Sequence, residues 1–332
     1  MQRPHSPSRL PLLVEAGFLL AALILLLPRL LLFAQTSASL LAWPWQFDYD
    51  EGINLNATIQ LAGGHNIYRH NGPDGFLSAP YPPVFYLLNA PLTWLTGPQL
   101  TSGRVISLIA TLAIAILLAL VVRRITGAWT AGVLAGALWL SLSPVIVWST
   151  LYKQDMPALA LGLGGLAWAL THRDDKRLYV PAVLFALAFY TKQSAVSAAA
   201  ATTLWFLLRD TRLGSRFVLI MLALVPLPFL LGNLVLAGGL WEHLVGNHAL
   251  PWSLGQFSRY IGRLWGEHWA LLIGGGIALA GMLVALFTRG QDAPLRTRLA
   301  SPWGLAGLYA LMGGASMLLQ AGYEGANYNH LL

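Results

Sequence analysis

Cysteine is absent from this chain, so no disulfide, thiolate nucleophile, Cys-ligated zinc or iron–sulfur cluster can be built from it. Charge is scarce too: Asp, Glu, Lys and Arg make up 10% of the 332 residues, against about 25% in ordinary soluble domains. A surface so poor in charge cannot keep a chain that is 56% hydrophobic, with a mean hydropathy of +0.61, in water. The bilayer is therefore its solvent. The net charge of +7 is spread in twos and threes between apolar runs, without the basic patch of a nucleic-acid binder. There is no GxxxxGK[ST] phosphate loop and no dinucleotide motif, and Gly274-Gly275-Gly276 lies inside an apolar run. His65, His70, His243, His248, His268 and His330 lie between or beyond spans, but none has a metal-binding spacing.

What is abundant is long apolar sequence. A spanning helix needs about 20 apolar residues, and the runs at 10–33, 105–122, 130–148, 156–170, 178–190, 194–208, 217–236, 269–287 and 303–320 predict an all-α polytopic bundle of about nine spans. Arg3 and Arg9 precede the first run, which is too long for a cleaved signal and is expected to stay as an anchor. With the N-terminus cytoplasmic, most of the twenty Lys and Arg fall in inner loops, as the positive-inside rule asks. Two long, chemically varied segments, 34–103 and 238–268, then lie outside, and function is expected there. In the first, Ile53, Ala57 and Leu61 at helical spacing predict a short interface helix over 51–61, and Pro82-Pro83 a second one running to Leu95. Gly132 and Gly136 have the spacing of helix packing.

The densest acidic feature is Phe47-Asp48-Tyr49-Asp50-Glu51-Gly52. It suits a general base or a metal ion, and equally a plain helix start with Asp50 as N-cap and Glu51 in the first turn. Lys192, between two short apolar runs, must reach water, a carboxylate or an anionic ligand; its plain alternative is snorkelling to the interface. Asp155, ahead of Met156-Pro157, is either an N-cap or a second carboxylate facing the same cavity as Asp50.

Asp50-Glu51-Gly52, Gly63-Gly64 with Tyr68, Tyr81-Pro82-Pro83-Val84-Phe85-Tyr86 and Gly103-Arg104 occur in an order that resembles polytopic glycosyltransferases of the GT-C fold. The nearest likeness is to bacterial family 39, ArnT-like or protein-mannosyltransferase-like members. Lys153-Gln154-Asp155-Met156, Thr191-Lys192-Gln193 and Gly325-Ala326-Asn327-Tyr328-Asn329 extend the likeness. It covers most of the chain; no single motif is specific, but their order is. Relatives usually carry more spans and a further C-terminal part, which leaves open whether the chain is a fragment of a longer enzyme.

The resemblance implies a plasma-membrane enzyme whose extracytoplasmic site moves a sugar from a polyprenyl-phosphate donor to a lipid, glycan or protein acceptor, with inversion. It implies Asp50 as catalytic base with Glu51 its neighbour. For the donor phosphate it implies Lys192 first, Arg104 second, and Arg259 and Arg263 third. Asp155 would orient the sugar or a cation, and Tyr81 would line the cleft. It requires no cofactor and leaves a divalent cation open. Two other readings stand beside it: a transporter or flippase, although no internal repeat is visible, and a non-catalytic, truncated paralogue.

Overall fold

The structure, a computed structural model, describes residues 10–73, 75–172, 177–248, 250–288 and 293–324. The stretch 325–329, His330, Arg3 and Arg9 lie outside the described residues. Among the described residues all regular elements are helices: α1 (Leu10–Ala42), α2 (Tyr49–Ala62), α3 (Val84–Thr96), α4 (Leu100–Thr126), α5 (Trp129–Ser141), α6 (Ser143–Trp148), α7 (Asp155–Thr171) and α8 (Tyr179–Thr191). They continue with α9 (Ser197–Arg209), α10 (Thr211–Leu224), α11 (Pro226–Val235), α12 (Gly239–Leu244), α13 (Leu254–Thr288), α14 (Leu295–Leu299) and α15 (Pro302–Gln320). Val14–Ala42, α4, Thr211–Val235, α13 and α15 are each long and apolar enough to cross a bilayer, while α5 and α8 are apolar but shorter. The protein is an all-α polytopic membrane protein, as expected.

Helix boundaries depart from the apolar runs wherever backbone chemistry intervenes. The run 130–148 breaks at Leu142, which is extended, because Pro144 has no N–H to give to the preceding turn. Arg29 of α1 repairs the break, donating to the Ser141 carbonyl at 3.0 Å and to Ser143 Oγ at 2.7 Å. The run 217–236 begins earlier, at Thr211, where Asp210 caps the helix through the N–H groups of Arg212 and Leu213. Pro226 then separates α10 from α11. Most of the segment expected as the second outer loop is helix: α12 lies within it, and α13 runs from Leu254 through a kink at His268 into the expected span. The two interface helices of the first segment are present as α2 and α3.

The core sits where α4 packs on α5 and α7, α7 on α8, and α9 on α10 and α15. In lipid, apolar surface gains little from meeting apolar surface, so close van der Waals packing has to hold these helices. Gly132 and Gly136 allow it: a Cβ at either would run into the Ala119 or Ala115 carbonyl of α4. Phe185, Trp205, Phe206 and Phe217 fill the centre, with Phe206 and Phe217 ring centroids 5.1 Å apart. A second cluster, Ile67, Tyr68, Phe85, Tyr86, Tyr152, Leu240 and Leu244, joins α2, α3 and α12 to the link between α6 and α7. It forms the floor on which the polar groups stand.

Candidate functional site

The acidic turn begins with a capping box. Asp48, not Asp50, is the N-cap of α2, and its side chain accepts from the Asp50 N–H at 3.0 Å. Glu51 reaches back to the N–H of Phe47 at 2.8 Å. The plain helix-start reading is therefore correct in kind and off by two residues. Satisfied locally by Asp48 and Glu51, the turn leaves the Asp50 carboxylate available to other partners.

Glu51 and Arg104 are both fully buried and hold each other in a fork, Nε to Oε1 at 2.9 Å and Nη2 to Oε2 at 2.8 Å. Arg104 Nη1 also donates to the Leu40 and Trp43 carbonyls, and Nη2 to that of Trp45 at 2.9 Å. All five guanidinium N–H groups are thus taken up, leaving none for the donor phosphate expected of Arg104. Glu51 additionally accepts the Tyr152 N–H at 2.8 Å. Burial pushes its carboxyl up, but the bonds from Arg104, Tyr152 and Phe47 outweigh it and hold Glu51 below the usual carboxylate range. The pair ties together α2, α4, the end of α1 and the α6–α7 link, so Glu51 is not free to act as a base beside Asp50.

Asp50 turns the other way. Lys153 Nζ lies 3.1 Å from Asp50 Oδ2 and 2.7 Å from Asp48 Oδ1. Burial pushes the Asp50 carboxyl above its ordinary value, only partly offset by the Lys153 ammonium. Burial alone would lower the lysine, yet Asp155, Asp50 and Asp48 together hold it above its usual value. Asp155, at the first position of α7 rather than at its cap, is buried and receives Lys192 Nζ at 2.6 Å. Tyr81 feels both carboxylates and is hydrogen-bonded to Gln154; burial raises it well above the ordinary phenol range. The structure thus brings Asp50, Tyr81, Asp155 and Lys192 together, with Lys153 and Asp48 completing the group.

Arg259 and Arg263 do not join them. Both are exposed on α13, and Arg259 bonds Gln256 of its own helix at 2.9 Å. Sequence reasoning gave Lys153 no role and named Asp48 only as part of the acidic turn, although Lys153 and Asp155 at an otherwise apolar span start were a signal.

A groove of about 320 Å³ leads away from Lys192 and Asp155. Ala158, Leu159 and Gly162 of α7 line it opposite Gly313, Gly314 and Met317 of α15. A second concavity lies on α2, lined by Tyr49, the residue before Asp50, with Asn56, Gln46, Phe76 and Ser78. Among the described residues no group of three or more His, Asp or Glu is placed to hold a metal ion.

Residues 80–235 match the family model of dolichyl-phosphate-mannose-protein mannosyltransferases. The match supports a membrane glycosyltransferase of the GT-C type. No curated protein and no solved structure matches the chain. The matched stretch holds Tyr81, Arg104, Lys153, Asp155 and Lys192, while Asp48, Asp50 and Glu51 precede it.

Proposed function

We propose that this glycosyltransferase moves a sugar from a polyprenyl-phosphate donor to an acceptor hydroxyl at the extracytoplasmic face. The observation that carries the reading is a cation–carboxylate cluster at the mouth of an apolar groove: Lys192 and Asp155 mark its polar end, and α7 and α15 supply walls suited to isoprenoid units. In this reading the donor phosphate meets Lys192 and the lipid lies along Gly162, Gly313 and Met317. The acceptor approaches from the Asp50 side, where Tyr49, Asn56 and Ser78 line the second concavity. Its hydroxyl oxygen attacks the anomeric carbon as its proton passes to the Asp50 carboxylate. The bond from that carbon to the phosphate oxygen breaks, and the electron pair leaves with polyprenyl phosphate. One direct displacement inverts the anomeric centre.

Lys192 acts where the leaving charge grows, an effect worth most in a site shielded from water. Asp155 holds that ammonium in place, and Tyr81 fixes the spacing between the two sides. Glu51 and Arg104 hold the Asp50 turn rigid and touch no substrate. Arg259 and Arg263 have no part in the transfer.

The test is release of polyprenyl phosphate from a panel of polyprenyl-phosphate sugars by the full chain in lipid, beside Asp50→Asn and Lys192→Ala. Release with one sugar, lost in both folded variants, is expected. Passage of intact donor across the bilayer without cleavage would return the transport reading. Near-normal turnover by folded Asp50→Asn would remove Asp50 as the base.

A further inference from the structure

Two aspartates at the start of α2 face one another across a single ammonium, 2.7 and 3.1 Å away, on a lysine side chain only 4% exposed. The main chain around Lys153 is held without its side chain. The N-terminus of α2 is already satisfied by Asp48 and Glu51. The link carrying Lys153 is fixed through its main chain: the Tyr152 N–H donates to Glu51 at 2.8 Å, Asn54 donates to the Tyr152 carbonyl at 3.2 Å, and Ser107 donates to the Lys153 carbonyl at 2.9 Å. Another side chain at 153 would leave those bonds in place.

We infer that Lys153 is the positioning residue of this site, a resident counter-cation that keeps Asp48 and Asp50 ionised together and turned to one point, so that Asp50 stands ready to take the acceptor proton. The last clause rests on Asp50 being the base proposed above; the charge coupling does not. The groups facing Lys153 are Asp48, Tyr49 and Asp50 from the start of α2, Asp155 from α7 and, from α6, the Trp148 ring. Tyr81 before α3 and Tyr86 within it face Asp50, and Lys192 after α8 is tied to Asp155. Of the two ammonium groups, Lys153 is the one in contact with Asp50, since Lys192 holds Asp155. Without Lys153, burial, Asp48 and Asp155 all push the Asp50 carboxyl the same way, upward. A base must be ionised to act, so the pH below which it fails moves up.

The decisive experiment follows the Asp50 carboxyl by infrared titration of the full chain in lipid, with Asp50→Asn identifying its band. Wild type is compared with Lys153→Ala and Lys153→Arg. The protonated band is expected to persist about one pH unit or more higher in Lys153→Ala and to stay near its wild-type position in Lys153→Arg. In donor turnover, Lys153→Ala is expected to lose about 10²-fold at neutral pH, with the acid limb moved to higher pH and ethylammonium restoring part of the rate. Identical Asp50 titration in folded wild type and Lys153→Ala overturns the inference. If Lys153→Ala does not fold, Lys153→Gln carries the same comparison; failure of both to fold makes Lys153 a structural strut and also overturns it. A wild type that turns over no donor would defeat the proposed reaction while leaving the infrared titration to decide the role of Lys153.

Discussion

Asp50 and Glu51 are neighbours on one helical turn, and each faces a cation, yet their surroundings differ in kind. Glu51 and Arg104 are both sealed from solvent, with every guanidinium N–H bonded. Asp50 shares its lysine with Asp48 and keeps 14% of its side chain exposed, and Tyr49 before it lines an open concavity. A saturated buried pair can only hold structure, because no donor or acceptor remains for a ligand. A partly open carboxylate, pushed up by burial, can exchange a proton. Position in the sequence places both residues at a helix start, and only their partners separate the strut from the proposed base.

The sharpest way to break this contrast is Arg104→Leu. It leaves the Glu51 carboxylate buried and unpaired, and about 3–5 kcal/mol of stability should be lost, read as a collapsed yield of folded protein and a lowered melting temperature in detergent. A well-folded Arg104→Leu that merely lost donor affinity would return Arg104 to the phosphate. Asp50→Asn should do the opposite: melting at or slightly above the wild-type temperature, since burial disfavours the charged form, while donor turnover falls about 10²–10⁴-fold.

A smaller effect would sharpen the groove assignment. Gly313 has open space where a Cβ would stand, so Gly313→Leu should fold normally and fill the groove. The KM for long-chain donor should then rise about tenfold, roughly 1.4 kcal/mol, with kcat and the turnover of short-chain donors unchanged. An equal loss for short and long chains would move the lipid elsewhere.

The smallest expected effect is pH dependence of stability. Glu51 is held below its ordinary value of 4.5, so its contribution is fully present above that pH and is lost as pH falls through the lower, folded value. Melting temperature should therefore decline more steeply below about pH 4.5 in wild type than in Glu51→Gln, if that variant folds. Parallel declines would mean that Arg104 is held mainly by its three carbonyls.

Much of the architecture was legible because the bilayer imposes it. Apolar runs long enough to span predicted α15 to within a residue and the middle of α4, and the apolar spacing at Ile53, Ala57 and Leu61 predicted α2. The errors have local causes. Pro144 splits one run into α5 and α6, and the polar residues Arg259, Arg263 and Glu267 disguised the first part of α13 as loop. At the site, the Asp50 turn, Asp155 and Lys192 stood out in the sequence because charge in so apolar a chain needs a reason, whereas Tyr81 came only through the resemblance. Arg104 was misjudged for that same cause: its order among the motifs pointed to a ligand, but its five acceptors, carried by Leu40, Trp43, Trp45 and Glu51, leave no donor over.

Composition and patterning by themselves determined that this chain is a helical membrane protein and which of its few charges need partners, because hydropathy and helical period are local properties. Tertiary structure alone decided which partner each charge has. Lys153 meets Asp48 and Asp50 across some hundred residues of chain, and Lys192 meets Asp155 across the α7–α8 hairpin. The strength of such contacts depends on separation and burial in space, which the order of residues does not contain.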